Sequence, residues 1–304
     1  MKIVTTTGDF SPYKLSAIQS IPELHKAGFR YVDLSMYTLK PDSAFMQDDW
    51  LEEVLKLKTE AQRLGMTFVQ AHSPGGNGLE QDENHLDFLI KSTIRSFEIC
   101  AELGIKNTVV HPGHKLGISK EEWFAGNKAF YEKLLPTAER LGINVLIENS
   151  CTVNTGACYW TNTGKEMREF LEYVCHPNLH ACWDTGHGNC DGAQYDNIKA
   201  LGDELYAIHY NDNRGNADEH LIPFLGTLNH DEVINALIDI GYKGYFTLEC
   251  GSSLRPNKYW LGNRKNFDGE CRLTEPQLFM QQKLEELLYQ TAKYILSSYS
   301  LFEE

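Results

Sequence analysis

The residues of this chain that can do chemistry stand at the ends of apolar runs. Seven such runs each finish on a carboxylate or an imidazole, at Asp33, His72, His111, Glu148, Asp184, His209 and Glu249. Any one of them could simply mark the point where a strand meets water. A mixed set of carboxylates and imidazoles is also the ligand chemistry of a divalent cation, and it can transfer protons. We therefore expect a metal site if the fold brings these side chains together.

The segment HACWDTGHGNC holds two ligand-type residues close together in sequence. Asp184 ends its apolar run, and His187 follows three residues later. We expect Asp184 to be a direct metal ligand and His187 to reach back into the same site from the loop after the strand. Because no thiolate ends a run, the donor set favours Zn²⁺, Mn²⁺ or Co²⁺ over Ca²⁺, and Mg²⁺ stays among the candidates.

A repeated pattern predicts the elements that position these groups. A helical stretch, a glycine and a short apolar run recur at 27–35, 64–72, 103–112, 141–149 and 240–249. Glycine suits the position after a helix, where the backbone turns left-handed, and the apolar runs have the length of fully buried strands. Further runs at 1–7, 178–184 and 204–210 raise the predicted number of strands to eight.

Amphipathic stretches alternate with these strands, at 45–64, 84–103, 120–141, 163–175, 193–203, 230–240 and 275–298. Capping signals predict helix starts at Ser20, Ser119 and Asn229. Eight strands alternating with helices predict a closed (β/α)8 TIM barrel as a single domain over residues 1–304, because parallel strands need helical crossovers. The polar, glycine-rich residues 250–274 are predicted to form a long loop at the barrel mouth. A doubly wound open sheet is the alternative, but no Gly-x-Gly-x-x-Gly follows the first strand.

Composition narrows the class of partner. The formal net charge of −14 over 304 residues disfavours nucleic acid and anionic membranes, since both are bound mainly by clustered Lys and Arg. No basic segment leads into an apolar stretch at the N-terminus, and no run approaches the ~18 apolar residues of a membrane span. The eight cysteines form no Cys-x-x-Cys pair. We expect a cytoplasmic protein with reduced thiols, and the sequence leaves open whether it is a homo-oligomer.

Six motifs in order resemble those of the xylose isomerase-like TIM barrel superfamily. They are HPGH (111–114), IENS (147–150), DTGH (184–187), IHYNDNRG (208–215), DEHLIPFLG (218–226) and LEC (248–250). This superfamily joins metal-dependent sugar isomerases and epimerases to abasic-site nucleases of the endonuclease IV type. The resemblance is specific for the superfamily and much less specific for the reaction.

Resemblance to the sugar-epimerase branch implies one divalent ion, held by Glu148, Asp184, His209 and Glu249. It also implies that Glu148 and Glu249 are catalytic and exchange protons with a substrate carbon. The residues that match His187 and Arg214 contact substrate oxygens in that branch. The substrate would then be a sugar or a sugar phosphate.

Resemblance to the nuclease branch implies three zinc ions and a longer ligand list. This chain has a candidate for each place, at His72, His111, Glu148, Asp184, His187, His209, Asp218, His220 and Glu249. A nuclease of this kind must also hold a kinked duplex with basic and wedge-like side chains. The segment 73–84, which should enter the DNA, has several acids but no aromatic or basic residue.

We therefore predict a metal-dependent sugar or sugar-phosphate isomerase or epimerase that transfers protons at carbon through an enediolate. The alternatives are an abasic-site nuclease with a multinuclear zinc site and a non-catalytic barrel that binds a metal or a sugar. The two glutamates argue mildly against the non-catalytic barrel, because a pure binding protein has no use for a pair of proton acceptors.

Overall fold

Eight parallel strands form a closed barrel in the computed structural model, which describes residues 1–156, 158–254, 269 and 276–304. The strands run in chain order around the barrel, and the last pairs with the first. They are β1 (Ile3–Thr6), β2 (Tyr31–Ser35), β3 (Thr67–His72), β4 (Asn107–Val109), β5 (Asn144–Glu148), β6 (Leu179–Asp184), β7 (Leu205–Tyr210) and β8 (Phe246–Leu248). The predicted (β/α)8 barrel is confirmed, and the open sheet is excluded.

Helices connect the strands and surround the barrel. They are α1 (Ala17–Ala27), α2 (Trp50–Leu64), α3 (Glu83–Leu103), α4 (Lys120–Tyr131), α5 (Leu135–Leu141), α6 (Thr152–Thr155), α7 (Gly164–Val174), α8 (Thr185–Asp191), α9 (Tyr195–Leu201), α10 (His230–Asp239) and α11 (Leu278–Ser298). No helix formed by the described residues is long and apolar enough to cross a membrane. The glycines of the five repeated junctions all have positive φ, as the pattern predicts: Gly28, Gly65, Gly104, Gly142 and Gly241.

Two helix predictions are wrong in detail. The first helix begins at Ala17, capped by Ser16 and Gln19, so the predicted start at Ser20 lies inside it. The stretch 120–141 is two helices, because Pro136 lies in the first turn of α5 and cannot continue a helix from α4. The predicted caps Ser119 and Asn229 are confirmed. Of the predicted loop at 250–274, only 250–254 and 269 lie among the described residues.

The core has two layers. The larger fills the space between the barrel and the helices, with Trp123, Trp183 and Phe170 fully buried in it. The smaller lies inside the barrel and consists of Val109, Leu146, Cys182 and Ala207. Successive side chains of a strand point to opposite faces, so β5, β6 and β7 each contribute to both layers. The inner layer forms the floor beneath the barrel mouth.

The C-terminal helix α11 brings a second acid against the start of the chain. Glu285 and Asp9 are both buried, and their carboxyl groups lie close enough to shift each other's pKa values. Gln281 Nε2 donates to Glu285 Oε1 at 2.8 Å, and Thr5 Oγ1 donates to Asp9 Oδ2 at 3.2 Å. Burial raises the pKa of Glu285 to about 7 and also raises the pKa of Asp9.

Replacing Glu285 with Gln should make the stability of the fold less dependent on pH. Between the ordinary pKa of glutamate and about 7, the folded state keeps a proton on Glu285 that the unfolded chain has lost. The free energy of unfolding therefore falls as pH rises through this window, by an amount on the order of 3 kcal/mol. Urea unfolding at pH 5 and pH 8 should show a smaller fall for Glu285→Gln than for the unmodified chain. Glu286→Gln, at an exposed neighbouring position, is the control, and an unchanged fall in Glu285→Gln would contradict this account.

Candidate metal centre at the barrel mouth

The alternation of side chains along the strands puts predicted ligands on the inner face of the barrel, at the carboxyl ends of the strands. Each residue of the inner layer precedes a predicted ligand by two positions, as Val109 precedes His111, Leu146 precedes Glu148, Cys182 precedes Asp184, and Ala207 precedes His209. The strand register places Asp184 directly opposite His209. One ligand atom from each of Glu148, Asp184, His209 and Glu249 lies within 4.8 Å of the others. The structure thus brings together four residues that lie far apart in sequence.

His209 stands between the two glutamates of this four-ligand centre. Its Nδ1 is 3.0 Å from Glu148 Oε1 and 3.3 Å from Glu249 Oε2. Burial favours the protonated form of Glu148, but His209 and His111 outweigh it and hold the pKa of this carboxyl well below its ordinary value. In the same way His209 and His220 outweigh burial and lower the pKa of Glu249. Both glutamates are therefore ionised at neutral pH.

The spacing of Asp184 and His187 follows from a helix cap. Asp184 is the N-cap of α8, and its Oδ1 accepts a hydrogen bond from the backbone N–H of His187 at 2.7 Å. The first turn of α8 thereby brings the imidazole back toward the aspartate, with His187 Nδ1 3.6 Å from Asp184 Oδ1. Burial raises the pKa of Asp184 to about 6.

Two asparagines hold Asp184 in place. The Asn149 side chain donates to the Asp184 carbonyl at 3.0 Å and accepts from its backbone N–H at 2.6 Å. Asn211 Nδ2 donates to Asp184 Oδ2 at 2.7 Å. Gly186 permits this contact, because a Cβ on it would lie 1.9 Å from Asn211 Oδ1. The position of Asp184 is thus fixed from both neighbouring strands.

Gln70 contacts the other ring nitrogen of His209. It lies two residues before His72 on β3, and its amide is 2.9 Å from His209 Nε2 and 3.3 Å from the Thr247 hydroxyl. A histidine that binds a metal through one nitrogen is usually held through the other. Gln70 is therefore the residue that orients His209 toward the two glutamates.

A second group of ligand type consists of His72, His111 and Glu148. The two Nε2 atoms face each other at 3.0 Å, and they lie 3.7 and 3.6 Å from Glu148 Oε2. That oxygen is buried and has no partner at hydrogen-bond distance among the described residues. Burial lowers the pKa of His111 to about 4, so this ring is neutral at neutral pH and has a lone pair for a metal.

A third group consists of His187, Asp218 and His220. Asp218 lies between the two rings, with Oδ2 3.2 Å from His187 Nε2 and Oδ1 3.1 Å from His220 Nε2. Burial opposes charge on these rings. Nevertheless Asp184 and Asp218 raise the pKa of His187 well above its ordinary value, and Asp218 does the same for His220.

Backbone carbonyls orient three of these imidazoles in the same way. The Nδ1–H groups of His72, His187 and His220 each donate at 2.9 Å, to the carbonyls of Ser73, Asn149 and Glu249 respectively. Each contact fixes the tautomer and turns Nε2 toward the acids of the mouth. Nε2 atoms that can give up a proton to become metal ligands, together with a buried carboxylate oxygen without a partner, fit a divalent cation bound by nitrogen and oxygen.

Asp212 organises the loop that carries Asp218 and His220. Its buried carboxylate accepts hydrogen bonds of 2.8 to 3.1 Å from the backbone N–H groups of Asn213, Phe224, Gly226 and Leu228. The loop after β7 is therefore folded back on itself, and His220 takes a left-handed φ of 47° within it.

Two other residues singled out from the sequence lie elsewhere. Arg214 donates from Nη1 and from its backbone N–H to the buried Glu219 carboxylate, both at 2.9 Å. It is not among the residues that line the cavity at the three ligand groups. Asp33 is buried in the barrel and belongs to none of the three ligand groups. Burial raises the pKa of Asp33 to about 6.

A cavity of about 410 Å³ opens at these groups, and we call it the central cavity. Its lining includes Glu148, Glu249 and all the histidines of the second and third groups. Sequence reasoning missed Asn149, Gln70, Asn211 and Asp212. Only Gln70 had a signal, because strand alternation from His72 puts it on the same inner face. Asn149 and Asn211 contact Asp184 from the ends of the neighbouring strands, and Asp212 binds backbone groups along its own loop. No local pattern specifies such contacts.

The fold and the site define the protein as a (β/α)8 barrel with a candidate metal centre at the carboxyl ends of its strands. The chain belongs to the xylose isomerase-like TIM barrel family, whose sequence profile matches residues 21–267. The resemblance drawn from the six motifs is therefore confirmed.

Individual relatives are similar at moderate identity. An uncharacterized protein of Methanocaldococcus jannaschii is 29% identical over 189 residues, covering 60% of this chain and 64% of that protein, less than two thirds of its length. The L-ribulose 3-epimerase of Methylomonas sp. is 28% identical over 256 residues, covering 81% of this chain and 82% of that enzyme. The D-psicose 3-epimerase of Clostridium cellulolyticum H10 shares the fold, with a TM-score of 0.73, 18% identity and coverage of 97% and 99% of the two chains.

Replacing Asn149 with Ala should destabilise the protein by about 2–4 kcal/mol. The change leaves the buried N–H of Asp184 without a partner, which costs about 1–3 kcal/mol, and removes one hydrogen bond to the Asp184 carbonyl, worth about 1 kcal/mol. Chemical denaturation measures the loss. Asn144→Ala, at the half-buried start of the same strand, removes one amide contact to Asn107 and should cost less. Equal losses in the two variants would contradict the role assigned to Asn149.

Proposed function

We propose that the protein is a divalent-metal-dependent epimerase of ketose sugars that transfers protons at a substrate carbon. The observation that carries the proposal is the four-ligand centre, in which the ionised Glu148 and Glu249 flank His209 within 3.3 Å. The named activities of relatives support it, since the Methylomonas sp. protein is an L-ribulose 3-epimerase. Family membership and the epimerases among the structural neighbours agree with this class of enzyme.

The two glutamates suit the two proton transfers of an epimerisation. Glu148, Asp184, His209 and Glu249 would hold the cation, which supplies polarisation of a carbonyl and stabilises the charge that develops on adjacent oxygens. One glutamate, ionised, removes a proton from carbon. The other must first take a proton from water, which it gives to the opposite face of that carbon, and the first glutamate then releases its proton to water. The Glu249 side chain is 27% exposed and that of Glu148 only 2% exposed, so Glu249 exchanges protons with water more readily. We propose that His187, on the first turn of α8, contacts a substrate oxygen.

The charges of the cavity favour a free sugar over a sugar phosphate. Among the described residues that line the central cavity there is no Lys or Arg, while Glu148, Asp218 and Glu249 are acidic. A phosphate group is usually bound by such cations or by a glycine-rich backbone loop. We therefore propose an unphosphorylated ketose as the reacting unit.

Deuterium exchange at carbon tests the two glutamates. The unmodified protein with Mn²⁺ should incorporate solvent deuterium into a ketohexose next to its carbonyl, as followed by NMR. Glu148→Gln and Glu249→Gln should each lose about 10²- to 10⁴-fold in rate, because each removes a proton acceptor, while melting remains cooperative. The control is Glu169→Gln, which changes an exposed glutamate paired with Lys120. Normal exchange in either site variant would refute the proton-transfer roles.

Chelation tests the dependence on metal. Treatment with EDTA should abolish the exchange, and Mn²⁺ or Co²⁺ should restore it. The restored ion should also raise the melting temperature, because a ligand that binds only the folded state stabilises it. Full exchange by protein shown by elemental analysis to hold no metal would overturn the proposal.

A second candidate function is hydrolysis at an abasic site in DNA. The three ligand groups favour it, because they supply places for three ions with Glu148 shared between two of them. The acidic lining of the central cavity opposes it, since a DNA backbone is held by cations.

Elemental analysis and an incision assay separate the two candidates. We expect that the protein does not incise a duplex with one abasic site at low salt. We also expect that it exchanges deuterium into a ketose when the four-ligand centre holds a metal ion. Incision that disappears in His111→Ala, together with about three zinc ions per chain, would favour the nuclease instead. The His111→Ala variant retains the four-ligand centre, so its ketose activity is measured in parallel.

A further inference from the structure

A second cavity adjoins the central cavity. It has a volume of about 570 Å³ and lies between the segment after β1 and the segment after β2. We call it the adjoining cavity. The two cavities share Tyr37, His220 and Glu249, so they meet at these three side chains.

The adjoining cavity exceeds what a single ketose needs. Sites for small ligands occupy about 300–1,000 Å³, and the central cavity already falls in that range at about 410 Å³. The reacting sugar therefore fits without the adjoining cavity. A cavity of this size next to the central cavity could hold a second chemical group that is attached to the reacting sugar.

Tyr37 stands at the boundary of the two cavities in a fixed position. Its ring makes edge contacts with His72 and His111, at centroid distances of 5.1 and 6.1 Å. Gly75 allows the ring to lie there, because a Cβ on Gly75 would come within 2.5 Å of it. Even so, Tyr37 remains 51% exposed. An aromatic ring held at a cavity wall offers an apolar face and a polar tip to an incoming ligand.

The lining of the adjoining cavity suits a neutral, hydroxylated ligand. Its lining combines polar residues, such as Ser11, Ser35, Thr38 and Glu53, with a larger share of apolar side chains such as Leu15 and Phe45, which can pack against the C–H faces of a sugar ring. No Lys or Arg occurs among its described lining residues. Hydroxyls and carboxylates pair with sugar hydroxyls, whereas a phosphate or a nucleotide would call for cationic partners.

We propose that the adjoining cavity binds a glycosyl unit attached to the reacting ketose. The substrate is then a glycosylated ketose of disaccharide size, with its ketose at the four-ligand centre and its second sugar beside Tyr37. This inference rests on the proposed function for the reaction, and it adds the substrate class and a sugar subsite.

The first test compares isomaltulose, a glucosyl-fructose, with fructose as substrates under Mn²⁺. Deuterium exchange should give a kcat/KM at least tenfold higher for isomaltulose. Ala44→Trp places a large ring at an exposed position that lines the adjoining cavity, and it should lower the ratio of the two kcat/KM values at least tenfold. Leu287→Trp is the matched control at an exposed position on α11, and it should leave the ratio unchanged.

The second test measures binding without turnover. Calorimetry with the Glu148→Gln variant should show tighter binding of isomaltulose than of fructose, and adding Ala44→Trp should remove the difference. Tyr37→Ala should weaken isomaltulose binding more than fructose binding, and Tyr37→Phe should retain most of it.

The outcomes distinguish the two proposals. Exchange with fructose but no preference for isomaltulose, or a ratio unaffected by Ala44→Trp, overturns the subsite and leaves the epimerase intact. No exchange with either sugar counts against the epimerase, and the binding measurement then decides the subsite. Equal binding of the two sugars overturns the subsite in every case.

Discussion

Pairing of β8 with β1 closes the barrel, and the register of that closure is the constraint on which the whole site depends. Leu248 pairs with Thr5, and across the next strand pair His209 lies opposite Thr247. Glu249 follows Thr247 by two residues, so its side chain points to the same inner face as that of His209 and lies nearer the mouth. Side chains alternate between the inside and the outside of a strand. A slip of one residue in any of these strands would turn its ligand away from the mouth and into the helical layer. Four strands therefore have to keep the same register, in which an apolar side chain of the inner layer is followed two residues later by a ligand at the mouth.

Closure gathers the ligands, but it also concentrates charge in a buried place. Glu148 and Asp184 are buried beside the partly exposed Glu249, and buried carboxylates are stable only when they are paired. The histidines provide that pairing. Surrounding acids outweigh burial and raise the pKa values of His187 and His220, and Cys182, Glu148 and Glu249 raise that of His209, so these rings hold protons in the absence of a cation. A divalent ion would supply the same positive charge and release those protons. The backbone carbonyls that accept from Nδ1–H of His72, His187 and His220 hold the rings in the same orientation, whether Nε2 carries a proton or binds a cation.

The parts of this arrangement that local patterns determine could be predicted from the sequence. Glycine after each helix, the length of the apolar runs and the alternation within strands gave the eight strands and the strand-end ligands, and the cap relation accounts for the spacing of Asp184 and His187. The break between α4 and α5 was missed because a long amphipathic stretch outweighed Pro136. Asn149 and Asp212 could not be found, because the partner of Asn149 is the backbone of Asp184 on the next strand and most partners of Asp212 lie more than ten residues ahead in its own loop. Arg214 was expected at the substrate, and its pairing with Glu219 is a contact within one loop that the motif does not specify.

Ligand groups alone do not determine the reaction of such a barrel, because the same acids and imidazoles can hold ions for proton transfer or for phosphoester hydrolysis. The surroundings of the ions discriminate better. A nucleic acid brings one negative charge per phosphate into the mouth, and each must be offset by a cation on the protein. The described linings of both cavities supply carboxylates and hydroxyls and no Lys or Arg, so a polyanion would meet repulsion there. A neutral sugar meets no such repulsion and finds hydrogen-bond partners along the same surface. Within the described part of the mouth, the electrostatics are thus better matched to a neutral sugar than to a polyanion.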